Sequence, residues 1–132
     1  NAIINNFGAK NYFNKKKNGE SLDLDGPGIY DFALKRIPDA IKNYLKKNNL
    51  KLSKIDYFIF HQANKFIIKS LQRKLDISDK KVFIEMANTG NTVSSSIPLV
   101  LSKKFNKIPK GKNVLLIGFG GGLSWGVCLI KK

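Results

Sequence analysis

The sequence predicts an α/β fold: a mixed β-sheet with helices packed against it. Three observations predict it. Apolar runs rich in β-forming residues alternate with segments whose apolar residues recur every three or four positions. The last two runs are joined only through Gly120-Gly121-Gly122, too short a link for parallel neighbours, so the sheet mixes strand directions. Finally, three loops of small and polar residues each follow an apolar run, which would gather them at the carboxyl edge of the sheet, where open α/β sheets place their sites.

Taken in order, Ala2 to Phe7 reads as a short strand, and Asn11 to Glu20, with Lys15, Lys16, Lys17 and Gly19, as an exposed loop. Asp25, Gly26, Pro27 and Gly28 mark a turn before a helix. Its apolar face is Ala33, Ile37, Ile41, Tyr44 and Leu45. Pro38 is expected to kink that helix or to start a new one, because it lacks an N–H and crowds the preceding turn. Asn48 and Asn49 are end signals. Ile55 to Phe60 reads as a buried strand. Ala63 to Leu75 reads as a helix with Ile67, Ile68, Leu71 and Leu75 inside and Lys65, Lys69 and Arg73 outside.

Lys81 to Glu85 is expected to be a second short strand. Ser94 or Ser95 is expected to cap the next helix, which tolerates Pro98 in its first turn and carries a stripe of Ile97, Val100, Leu101 and Phe105. Pro109 to Lys112 is a turn, and Val114 to Phe119 a third strand. Leu123 to Ile130 is the last strand; apolar or small residues on both its faces place it centrally in the sheet.

Bulk composition narrows the class. A chain of 132 residues is long enough for one domain with a core. Its 42% hydrophobic and 11% aromatic content excludes a disordered chain. No apolar run approaches the roughly 20 residues that span a bilayer, and no signal peptide opens the sequence. The chain starts at Asn1 and its only methionine is Met86, so a piece of a longer or processed polypeptide is expected. Cys128 is the only cysteine, so no internal disulfide forms; that fits a cytoplasmic protein. Inside the last strand, it is expected to be an inert core thiol.

The formal net charge is +15, which attracts acidic partners over long range. Nucleic acid and an acidic carrier protein both fit that sign. Arg36 and Arg73 are the only arginines, however, and the lysines come with many Asn and Ile residues, which reads as compositional bias rather than a dedicated surface. Zinc-ligand spacing and the aromatic signature of RNA-binding modules are absent.

The three loops carry the chemistry. His61-Gln62-Ala63-Asn64 follows one strand, Asn88-Thr89-Gly90-Asn91-Thr92 the next, and Gly120-Gly121-Gly122 the third. A helix amino terminus after His61 would disfavour the imidazolium, and a neutral ring offers one N–H. Asn91 offers a side-chain amide donor. Two donors aimed at one oxygen make an oxyanion hole, and a glycine turn lets a main-chain N–H approach a ligand. Taken singly, each has a plainer reading: a structural histidine, an Asn-Gly turn, a tight connection.

In combination they resemble one family. His61-Gln62-Ala63-Asn64, Gly90-Asn91-Thr92 and Phe119-Gly120-Gly121-Gly122-Leu123-Ser124-Trp125-Gly126 occur in the order found in ketoacyl-acyl-carrier-protein synthases of type III, members of the thiolase-fold condensing enzymes. The resemblance runs from about Asp25 to Lys132. It implies a thiolase-like fold, with residues 25–132 as the C-terminal half, a mixed five-stranded sheet with packed helices, and residues 1–24 as the tail of the N-terminal half.

The resemblance also implies a mechanism. An acyl group passes from a coenzyme A thioester to an active-site Cys; malonyl-acyl-carrier protein loses carbon dioxide, and the enolate attacks the acyl group. His61 and Asn91 match the pair that holds the enolate oxygen, and the Gly121 N–H matches a donor of the second oxyanion hole. No metal or redox cofactor is implied. The partners implied are acyl-carrier protein and coenzyme A thioester, in a cytoplasmic homodimer, without membrane or nucleic acid. The nucleophilic Cys of the family lies in the other half, so the chain alone is expected to be inactive. Phe66 stands where many relatives carry a carrier-docking Arg, and Lys65 and Lys69 are the nearby cations that would compensate. A thiolase-fold acyltransferase forming an ester or amide, and a basic nucleic-acid-binding module, are the alternative readings.

Overall fold

The computed structural model describes residues 2–5 and 21–132. Strands β1 (Ala2–Asn5) and β2 (Ser21–Leu24) pair antiparallel, from Ala2 opposite Leu24 to Asn5 opposite Ser21, as a two-stranded sheet of their own. Strand β2 was not expected from the sequence. The loop expected over 11–20 and the end of the first strand at Phe7 lie outside the described residues.

Helix α1 (Gly26–Lys47) starts where its sequence provides a cap: the Asp25 carboxylate accepts the Gly28 N–H at 2.8 Å. Pro27 sits in the first turn, where a missing N–H is harmless. The expected turn residues Gly26 to Gly28 thus belong to the helix itself. The helix runs on through Pro38 as one 22-residue element, so no new helix starts there. It ends at Asn48; Asn49 follows with φ +53°, the left-handed conformation asparagine tolerates. Phe32, Ala33, Ile37, Ile41 and Leu45 form its buried face.

The main sheet has the order β3-β4-β5, with β3 at Tyr57–Phe60, β4 at Asn113–Gly120 and β5 at Ser124–Lys131. β3 and β4 are parallel, with Phe60 opposite Ile117; β4 and β5 are antiparallel, with Gly120 opposite Ser124. α2 (Lys65–Lys74) joins α1 on one face, over Phe58, Phe60, Leu115 and Ile117; α3 (Ser96–Lys104) covers Ile59 and Val114 on the other. The period-2 alternation of the strands divides the core in this way. Each fully buried side chain among these contributes about 2–3 kcal/mol of transfer free energy.

Three expectations are corrected. The sheet has three strands rather than five among the described residues. The strand expected over Lys81 to Glu85 is reduced to a single parallel bridge, Phe58 to Val82, because a buried side chain takes over the bonding beyond it, as described below. β5 lies at the edge of the three strands, and β4 is the central one. The small and apolar residues of β5 misled: Val127 and Leu129 pack towards α1, while Gly126 and Cys128 are exposed. Cys128 is therefore not a core thiol. The edge is tied to α1 by the Tyr44 hydroxyl, which accepts the Leu129 N–H at 3.1 Å.

The approach to β3 and β4 is fixed at the opposite end by Asp56. Its carboxylate accepts the Asn113 N–H at 2.9 Å and pairs with the Lys112 ammonium at 3.0 Å. These bonds, that to Asn113 first, hold its pKa below the usual carboxylate value.

Candidate functional site

The parallel pair β3 and β4 ends on one sheet edge, and the residues just beyond their carboxyl ends build the site. The main chain of His61 extends the pairing one step, donating its N–H to the Ile117 carbonyl at 2.7 Å. Its ring is half-buried and meets Phe119 of β4 edge-on, with centroids 5.4 Å apart and planes at 87°. Burial pushes its pKa below the ordinary histidine value, partly opposed by the main chain of Val93. A neutral imidazole at pH 7 follows. The helix terminus expected to produce this state stands further off: α2 starts at Lys65, and its cap is Asn64, whose side chain accepts the Ile67 N–H at 2.8 Å.

Gln62, next in sequence, points the other way into the core. It is 1% exposed. Its amide nitrogen donates to the Phe60 carbonyl at 2.7 Å and the Phe83 carbonyl at 3.4 Å, and its oxygen accepts the Glu85 N–H at 2.9 Å. This side chain replaces the main-chain rungs that a strand over Lys81 to Glu85 would have made. Sequence reasoning missed it, since spacing does not distinguish an inward glutamine from an exposed one.

Ser96 was also missed. Neither Ser94 nor Ser95 caps α3 through its side chain; Ser95 occupies the cap position without a side-chain bond. The serine that works is Ser96, buried, with Oγ 2.7 Å from Nδ1 of His61 and accepting the Gln62 N–H at 3.3 Å.

The loop before α3 brings Asn91 to the same edge. Its Oδ1 accepts the Val93 N–H at 2.9 Å, which holds the side chain and leaves its amide N–H groups without a partner among the described residues. Val93 has φ +52°, a left-handed conformation that a β-branched residue rarely adopts. That backbone turns its N–H to Asn91. Gly90, at φ +62°, enters the loop where glycine is favoured.

The glycine turn after β4 completes the edge. Gly122 has φ +125°, open only to glycine, and the Ser124 hydroxyl donates to the Gly121 carbonyl at 2.9 Å. A Cβ at Gly121 would meet nothing within 4 Å, so packing within the chain does not demand glycine there. His61, Asn91 and Gly121 thus lie in three loops of one sheet edge. His61 bonds Ser96 at the start of α3, Asn91 bonds Val93 in the loop that leads into α3, and Gly121 lies beyond Phe119, against which His61 rests.

Lys65 and Lys69 lie on the outer face of α2. Lys65 is exposed; Lys69 pairs with Asp79 at 2.6 Å. Phe66 between them is 63% exposed and stacks on Tyr30, with centroids 5.3 Å apart. Among the described residues no group of three His, Cys, Asp or Glu side chains is placed to hold a metal ion, and no helix is long and apolar enough to cross a membrane.

A mixed sheet with helices on both faces, a neutral histidine just beyond its first parallel strand and an anchored asparagine in the loop before α3 define a thiolase-like α/β protein. The chain belongs to the 3-oxoacyl-[acyl-carrier-protein] synthase III family, whose C-terminal model matches residues 45–132. It is 43% identical over 112 residues to the beta-ketoacyl-[acyl-carrier-protein] synthase III of Clostridium tetani, covering 83% of this chain and 34% of that protein. A solved 3-oxoacyl-(acyl-carrier-protein) synthase III superposes with a TM-score of 0.82 at 35% identity, over 86% of this chain and 34% of its own. The enzyme of that name from Pseudomonas aeruginosa gives 0.83 at 26% identity, over 98% and 39%. The chain therefore spans about a third of the length of the curated relatives it matches. These relatives give no support to ester or amide formation or to nucleic-acid binding.

Proposed function

We propose that the chain is the histidine- and asparagine-bearing part of a 3-oxoacyl-acyl-carrier-protein synthase III, acting in decarboxylative condensation of an acyl thioester with malonyl-acyl-carrier protein. The observation that carries this reading is the anchoring of Asn91. Its oxygen is held by the Val93 N–H, so its amide N–H groups remain as donors on the loop that leads into Ser96, the bonding partner of His61. When the malonyl carbon–carboxylate bond breaks, its electron pair moves into an enolate. An N–H of His61 and one of Asn91 hold the developing oxygen charge, where preorganised donors are most effective. The Gly121 N–H serves the acyl thioester carbonyl. A cysteine outside this chain carries the acyl group, so the chain is inactive alone; no metal or redox cofactor takes part. Lys65 and Lys69 receive the acidic carrier protein, and the intact enzyme is a cytoplasmic homodimer that uses coenzyme A thioesters.

The test is carbon dioxide release from a malonyl thioester by the full-length polypeptide containing this chain. His61→Ala and Asn91→Ala should each lower it by about 10²- to 10³-fold, as expected for loss of one oxyanion donor. An intact enzyme that releases no carbon dioxide would sink the reading. Lys65→Glu with Lys69→Glu should raise KM for the carrier and leave kcat nearly unchanged.

A further inference from the structure

We infer that Ser96 is a positioning residue that sets the tautomer of His61, its hydroxyl donating to Nδ1 so that the ring proton resides on Nε2. Three observations carry this. Ser96 is 2% exposed, so its hydroxyl proton is shielded from bulk solvent. Oγ already accepts the Gln62 N–H at 3.3 Å and lies 2.7 Å from Nδ1. No other acceptor is bonded to that hydroxyl among the described residues.

The count of donors decides the direction. Were Nδ1 to carry the proton, Oγ would face two donors, Nδ1–H and the Gln62 N–H, while its own proton went unbonded in a buried setting. A buried donor without an acceptor is strongly disfavoured. With Nδ1 as acceptor, every hydrogen is used, and Nε2 presents the N–H. The main chain of Val93, which acts against the lowering of the ring's pKa, is the competitor: a proton drawn to its carbonyl from Nδ1 would give the opposite tautomer. The arrangement has the logic of metal-site and triad histidines, where the bond at one ring nitrogen fixes the state of the other. Its bearing on catalysis rests on the proposed function: an Nε2–H is the donor an enolate oxygen needs. The assignment of the tautomer does not.

His61 is the only histidine of the chain, so a spectrum of the ¹⁵N-histidine-labelled chain reads this ring alone. At neutral pH the expected result is one dominant form with Nε2 protonated and Nδ1 as a bare, hydrogen-bonded acceptor. Ser96→Ala should shift the Nδ1 resonance and mix the tautomers, and Ser96→Thr, which keeps a hydroxyl, should restore the native pattern. A native spectrum with Nδ1 protonated would overturn the inference without recourse to any variant. So would an Ala variant, folded by its amide spectrum, with unchanged ring resonances. Because no turnover is measured, failure here is distinguishable from failure of the condensing reaction.

Discussion

The Gln62 side chain accepts the Glu85 main-chain N–H at 2.9 Å, while its amide nitrogen reaches back to the carbonyl of Phe60. One buried side chain thus joins the end of β3 to the segment that would otherwise continue the sheet. Gln62→Ala should leave three main-chain groups unbonded and destabilise the chain by about 2–4 kcal/mol. Urea unfolding of the two proteins checks this; a loss below about 0.5 kcal/mol would mean that water replaces the side chain.

His61 makes stability depend on pH. Its folded-state pKa is lowered by burial, so the unfolded chain takes up the proton first as pH falls. The neutral-ring contribution is therefore fully present above about pH 6.5, the ordinary value, and declines as pH drops towards the lower folded one. The slope in that window is at most about 1.4 kcal/mol per pH unit for one proton. Unfolding midpoints between pH 5 and 7 should fall with acidification, and His61→Gln should flatten the curve.

Asp56 acts at lower pH with the same sign. Its carboxyl is held below its usual value by the Asn113 N–H and by Lys112, so its contribution is present above about pH 3.9 and vanishes as pH falls through the folded value. Asp56→Ala should lower stability at pH 7 by about 1 kcal/mol, an exposed ion pair adding little to the main-chain bond. The difference between variant and native protein should shrink near pH 2; a constant difference would assign the effect to packing instead.

Val93 holds a left-handed backbone although it is 71% exposed and β-branched. Val93→Gly relieves that strain and forfeits little burial, but frees the unfolded chain. A net gain of up to about 1 kcal/mol is expected in thermal unfolding. A loss would show that the valine side chain packs more firmly than its exposure indicates.

Periodicity made the helices and the parallel strands legible, since Ile37, Ile41, Ile68 and Leu71 follow helical spacing and all face the sheet. The strand-end location of His61 was legible for the same reason. Gln62 and Ser96 were not: both are polar residues that point inward, and their bonds span 23 and 35 positions in sequence. Local pattern cannot register a partner that distant. The placing of β5 failed for a different reason: small residues such as Gly126 look buried in sequence, whereas only neighbouring elements decide what covers them.

The Tyr44 hydroxyl on the Leu129 N–H has a consequence for whatever joins β5. An outer strand of eight residues is a template to which further main chain adds by hydrogen bonding. One position on it is already claimed. An incoming strand must either align so that it leaves the Leu129 N–H alone, or evict the tyrosine. A phenol rooted in a helix thus acts as a registration mark for strand addition, and Tyr44→Phe would erase it, allowing partners to slide along the edge.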